Sequence, residues 1–192
     1  MKRLLLMIIA VMLSGCAATL PDKINLNPIL ENQPAGVYPP ALDIFVDSKD
    51  DRFEKHVVTY SFKNEPSIML FNQVAPQIML AERLTDGLSQ QGLTRVGRST
   101  ITVTIAIEEM MVTVTKTKSG LLYNSAARSR LRLTVNNNGS ILTKDYNREA
   151  SKETATKPDI PDLEAMLNVQ LSDVIEKILG DGQVREAIRG KM

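Results

Sequence analysis

Residues 127–151 read ARSRLRLTVNNNGSILTKDYNREAS, with Arg128, Arg130 and Arg132 at every second position ahead of an Asn138-Gly139 pair. Asn-Gly is a strong short-range hairpin signal because both residues accept positive φ. If these two form the loop, Asn137 faces Ser140 and the numbers of facing residues sum to 277. Val135 then meets Leu142, Leu131 meets Tyr146, Thr134 meets Thr143, Arg132 meets Asp145 and Arg128 meets Glu149. Apolar side chains oppose apolar ones and opposite charges face each other, as cross-strand energetics prefer.

The segment upstream can be aligned in the same way. In Ile101–Thr115 the apolar positions Ile101, Val103, Ile105 and Ile107 are odd, whereas Met110, Val112 and Val114 are even. A period of two changes parity only through an inserted residue, so a β-bulge is expected at Glu108-Glu109. A Ser119-Gly120 turn pairs Val112 with Ala127, and beyond the bulge Ile107 meets Leu131, Ile105 meets Leu133 and Val103 meets Val135. Glu108 and Glu109 fall beside Arg130, so each arginine of the stripe has a carboxylate nearby. Exposed pairs of this kind contribute about 0.2–1 kcal/mol each. The stripe therefore reads first as a register device and second as a face for an anionic partner.

Outward from this meander, Leu42–Val46 and His56–Phe62 alternate as short strands, with Asp47–Lys55 a polar loop between them. From Asn72, a candidate cap, Ile78, Ala81, Leu84 and Leu88 recur at helical spacing, with Pro76 tolerated in the first turn. Leu163, Leu167, Leu171, Val174 and Ile178 form a second stripe ending at Gly180, followed by a short amphipathic tail over Val184–Arg189. These patterns define an α+β domain over 41–192: an antiparallel sheet, made of the long meander 101–150 and short N-terminal strands, with helices at about 73–91 and 161–179 on one face. Val103, Ile105, Ile107, Leu131, Leu133, Val135, Leu142 and Tyr146 should meet Ile78, Leu84, Leu167, Leu171 and Val174. Burying each such side chain contributes about 1.5–3 kcal/mol before entropy.

The N-terminus, MKRLLLMIIAVMLSGCAATL, has a charged start at Lys2 and Arg3 and an apolar run from Leu4 to Met12. That run is too short to span a hydrocarbon core of roughly 30 Å, so residues 1–15 read as a signal peptide. Leu13-Ser14-Gly15-Cys16 resembles a bacterial lipobox, with small residues for the lipoprotein signal peptidase and one thiol able to take an S-diacylglyceryl group. N-acylation, for example with palmitate, would bring the chains on Cys16 to three, ample for stable anchoring at about 0.8 kcal/mol per buried CH₂. Ala17 is not the aspartate that resembles an inner-membrane retention signal, which points to the periplasmic face of the outer membrane. Residues 16–40 carry Pro21, Pro28, Pro34, Pro39 and Pro40 and read as a tether.

The composition narrows the function classes. Of 23 basic residues, Lys2 and Arg3 leave with the signal, so 23 − 2 = 21 stand against 22 acidic ones and nucleic acid is not an expected partner. Cys16 is the one cysteine, so no disulfide framework can form. His56, the one histidine, reads as a surface residue near a strand end, with no second histidine or free cysteine to share a metal. No Gly-x-Ser-x-Gly setting or phosphate-binding glycine loop occurs, and no cofactor is indicated. Adjacent glutamates at a bulge could serve a hydrolase, but an arginine facing both would keep both ionised, whereas an acid catalyst needs a raised pKa.

From Cys16 through the strands, the run NNNGSILTKDYNREAS and the helix LEAMLNVQLSDVIEKIL, the chain resembles the YajG-type family of bacterial lipoproteins. The resemblance implies an outer-membrane-associated lipoprotein and carries no catalytic residues. The function expected is a non-enzymatic structural or adaptor subunit held to the membrane by its lipid anchor and working with an envelope protein. A module binding peptidoglycan or another anionic glycan through Arg128, Arg130 and Arg132 is the alternative, and a carboxylate hydrolase comes third.

Overall fold

The computed structural model describes residues 23–191. In chain order the elements are β1 (Lys23–Ile24), β2 (Asp43–Asp50), β3 (Val58–Tyr60), β4 (Ile68–Asn72), α1 (Pro76–Gln90), β5 (Thr94–Arg95), β6 (Ile101–Lys116), β7 (Tyr123–Asn137), β8 (Ser140–Thr154), α2 (Ile160–Gly180) and α3 (Gly182–Ile188). The hairpin between β7 and β8 turns at Asn138 (φ 51°) and Gly139 (φ 90°), both in the left-handed region that an Asn-Gly loop supplies. The anticipated register holds along its whole length, from Asn137 opposite Ser140 to Tyr123 opposite Thr154.

Between β6 and β7 the register shifts once, between Ile107 and Glu109, so Glu108 is the inserted residue. The bulge also divides the other edge of β6. Its first half pairs in parallel with β2, from Phe45 opposite Thr102 to Asp50 opposite Ile107. Its second half pairs in parallel with β3, from Val58 opposite Val112 to Tyr60 opposite Val114. Where one neighbour hands over to the other, the guanidinium of Arg52 fills the gap and donates to the carbonyls of Met110, His56 and Lys55. Asp50 holds that guanidinium through two bonds of 2.9 Å, and both side chains are almost fully buried. A buried carbonyl left unpaired costs about 1–3 kcal/mol, and this arginine partners those of Met110 and His56 in the interior and that of Lys55 at its rim.

The sheet is mixed and curled rather than antiparallel. β2 and β3 run parallel to β6, β1 runs parallel to β4 and β5 runs parallel to β2. The chain leaves β2 and reaches β6 through β3, β4 and α1, and a crossover of that length returns a strand in the same direction. Helix α1 packs on β2, while α2 and α3 pack on β7 and β8. The core joins Val103, Ile105, Ile107, Leu131, Leu133 and Val135 to Leu84, Leu88, Leu167, Leu171 and Val174. Helix α1 approaches α2 so closely that a Cβ added at Gly87 would collide with Leu179.

Several expectations are corrected. Ile78 is half exposed, and Met79 and Leu80 take its place in the core. Asn72 ends β4 instead of capping α1; its side chain accepts from Leu26 N–H and donates to the Val74 carbonyl, and the helix begins after Ala75 with no side-chain cap. The polar run expected as a loop continues β2 to Asp50, because Ser48, Lys49 and Asp50 find ladder partners in Ile105, Ala106 and Ile107. The tail forms α3, capped by Asp181.

The largest departure concerns residues 23–40, expected as part of a tether. Ile24, Leu26 and Tyr38 are buried, and the backbone N–H groups of Asn25, Asn27 and Glu31 donate to the side chains of Glu164, Asn168 and Glu176 on α2. Arg83 of α1 donates to Asn27 from the other side. The segment is a strap across both helices, held because alternate residues bury apolar side chains while polar helix residues satisfy the backbone between them. The signal peptide, the lipobox residues Leu13, Ser14, Gly15 and Cys16, and the first part of the expected tether lie outside the described residues.

Candidate functional site

Two surfaces hold the residues singled out by sequence, and a third emerges from the fold alone. The first is the open face of the meander, opposite the helices. There Arg132 binds two carboxylates, Glu108 at 2.7 Å and Asp145 at 2.8 Å. The hydrogen bond from Arg132, opposed by a small desolvation cost and helped by its charge, holds Asp145 below the usual carboxylate range. Arg128 reaches Glu149 at 3.9 Å. Arg130 lies between Glu109 and Asn147 in the ladder and makes no ion pair among the described residues. The expectation that both glutamates lie beside Arg130 is thus corrected: the bulge turns Glu108 toward Arg132. Around these three guanidiniums stand four carboxylates, Glu108, Glu109, Asp145 and Glu149, so acid outnumbers base in this cluster.

The second surface surrounds His56. It is buried rather than exposed, with its ring edge-on to Phe71 at 6.3 Å and Nε2 at 3.3 Å from Glu54. The loop 51–57 folds over the handover between β2 and β3 and carries His56 inward beside Arg52. No group of three or more His, Cys, Asp or Glu among the described residues could hold a metal.

The third surface was not legible in the sequence. Among the described residues β8 pairs with β7 alone, so its outer edge, 15 residues long, has no strand partner there. Beside it, between β8 and α2, lies a groove of about 470 Å³. Ala150, Ala165, Met166 and Val169 form its apolar floor, and the ion pairs Arg148–Asp173 at 2.6 Å and Lys152–Asp162 at 3.8 Å bracket it. Gln170 closes its base, accepting from the Ser129 hydroxyl at 3.0 Å and donating to the Ala127 carbonyl at 3.2 Å.

Farther along β8, Asp181 caps α3 while accepting from Lys144 and from the Tyr146 hydroxyl. Burial opposes ionisation of Asp181, but the bonds from Lys144, Tyr146 and the backbone of Val184 and Gln183 outweigh it, and its carboxyl stays below the ordinary range. Burial and the same carboxylate push the Tyr146 hydroxyl well above its ordinary value. The sequence offered one usable signal here, an acidic residue directly ahead of the tail, in the position of an N-cap.

A two-layer domain of this kind, with helices on one side of a curled mixed sheet, offers long edges and grooves. Residues 41–189 match a family model described as an uncharacterized lipoprotein, and the chain belongs to that family. No curated protein matches it significantly. Its fold is similar to that of protein XCC0632 from Xanthomonas campestris, with a TM-score of 0.59 at 11% identity, covering 86% of this chain and 97% of that one. A hypothetical protein, CT253 from Chlamydia trachomatis, matches with a TM-score of 0.38 at 11% identity over 76% of this chain and 98% of that one. No helix among the described residues is long and apolar enough to cross a membrane.

Proposed function

We propose that this is a YajG-type lipoprotein, anchored through Cys16 at the periplasmic face of the outer membrane, that acts as a non-enzymatic adaptor. It receives an extended segment of an envelope protein along β8. The observation that carries this reading is the unpaired β8 edge lying beside an apolar groove. A strand added there gains main-chain hydrogen bonds, and every second side chain falls into the groove over Ala165 and Val169.

The charges on β8 select against a second copy as the occupant. In every two-fold antiparallel pairing of β8 with itself centred between Lys144 and Glu153, residues of like charge meet directly, for instance Arg148 with Lys152 or Glu149 with Glu153. Such charges protect an edge from its own kind while leaving it open to a strand of different sequence. Two rival readings have less support. Acid outnumbers base around the arginine stripe, which disfavours an anionic glycan, and Glu108 is committed to Arg132 rather than poised as an acid.

The test is photocrosslinking from position 169 in the membrane-anchored full chain, with position 134 on the open sheet face as reference. The expected result is a discrete protein adduct from 169, none from 134, and loss of the adduct on adding Ala165→Asp with the melting temperature unchanged. Equal adducts from both positions, or an adduct indifferent to Ala165→Asp, would overturn the reading.

A further inference from the structure

Exposed apolar side chains are unevenly spread over the molecule. Of the ten large ones among the described residues, six are Phe53, Ile68, Met69, Phe71, Val74 and Ile78, all on β4 or the segments beside it. Phe53 is 99% exposed, and Met69, Phe71, Val74 and Ile78 are about half exposed at 47–50%. Phe71 among them lines a cleft of about 390 Å³, with Asp50, Arg52 and Lys55 on one side and Asn72, Ala75, Pro76 and Gln77 on the other. Clustered apolar exposure on a soluble domain marks a surface with an occupant.

The path of the chain points to that occupant. β1 pairs with β4 so that Lys23 lies opposite Phe71, and the chain therefore enters the domain at the apolar patch itself. Cys16 precedes Lys23 by seven residues, a reach of at most about 25 Å. A domain of this size has a radius of gyration of about 15 Å and is roughly 40 Å across. Because the strap is part of the fold, a lipid on Cys16 cannot let the domain swing its far side to the bilayer; the β4 edge stays nearest.

We propose that the β4 edge rests on the lipid surface, with Phe53 and Phe71 seated among the headgroups and β8 turned away into the periplasm. The proposal rests on the lipid-anchor reading above. The charges beside the patch are Lys23 and Lys55 against Asp51 and Glu54, so apolar contact and not charge would hold it, and the orientation should be insensitive to salt. The acyl chains supply the affinity; the patch supplies orientation.

The chain contains no tryptophan, so Phe53→Trp installs a single reporter at a fully exposed position. Ile141→Trp does the same on β8, the strand at the opposite edge of the sheet. Full-length lipidated protein would be reconstituted in phosphatidylethanolamine–phosphatidylglycerol vesicles carrying bromine on the acyl chains. Emission from position 53 should fall by about half or more, and that from 141 should hold, because interfacial apolar side chains sink roughly 5–10 Å into the headgroup boundary. Unquenched emission from 53, or equal quenching at both positions, in protein that floats with the vesicles overturns the docking. A crosslink from 53 to a protein in place of quenching overturns it also. Mass spectrometry showing no acyl chains on Cys16 would overturn the anchor reading and the docking together.

Discussion

The two edges of the sheet are built in opposite ways. Beyond Ile141 at the hairpin end, the exposed side chains along β8 are mostly charged: Asp145, Arg148, Glu149, Lys152 and Glu153. Along β4 they are apolar, and a two-residue strand, β1, covers part of the edge. Each edge is organised by one buried ionic group, Arg52 with Asp50 near β4 and Asp181 with Lys144 and Tyr146 near β8. A charged edge repels copies of itself and stays available to another strand, whereas an apolar edge needs a cover. On the readings proposed above, the contrast would separate partner selection from membrane attachment.

The comparison can be broken at the two ionic groups. Arg52→Ala leaves Asp50 with Lys55, at 3.5 Å, as its remaining ionic partner and frees three carbonyls, so a loss of about 3–5 kcal/mol is expected in denaturant titration. Asp181→Ala removes the α3 cap and the partner of Tyr146, and about 2–4 kcal/mol should go. If Arg52→Ala costs less than Asp181→Ala, the handover between β2 and β3 is not held as described.

The pH dependence follows from the same two carboxyls. Burial disfavours the charged form of Asp50, yet its bonds to Arg52 prevail and hold its pKa below the ordinary value, as at Asp181. A carboxyl depressed in the folded state contributes stability above its unfolded pKa and loses it as pH falls through the folded one. Thermal melts should therefore be flat through neutral pH and fall only below the ordinary carboxylate range. Asp181→Asn should flatten part of that acid limb; an unchanged limb would contradict the assignment. The smallest effect is expected on the open face, where Arg128→Ala with Arg132→Ala should leave the melting temperature nearly unchanged, because the pairs are exposed and screened. A larger loss in the melt would mean that the arginine stripe braces the sheet.

The meander was legible residue by residue because its information is local. Two turns, Asn138-Gly139 and Ser119-Gly120, and one change of parity align 46 residues of β6, β7 and β8, 16 + 15 + 15, without reference to anything distant. The N-terminal half was legible only in fragments. β1 and β5 are two residues long, and nothing in Lys23-Ile24 or Thr94-Arg95 announces a strand whose partner lies some 50 residues away. Ile24 and Leu26 alternate with polar residues, but prolines on either side of that run hid the signal. Asn72 has the chemistry of a helix cap, and its side chain was taken by Leu26 N–H instead.

By itself the sequence determined the register of the three long strands, the position of the bulge and the two main helices, because each depends on neighbours in the chain. The tertiary structure alone decided the rest. It set the parallel pairing of β2 and β3 with β6, the strap over the helices, the commitment of Glu108 to Arg132 and the free groove beside β8. Each of those is a contact between segments whose attraction for one another is written in no single stretch of the chain and arises only when the fold brings them together.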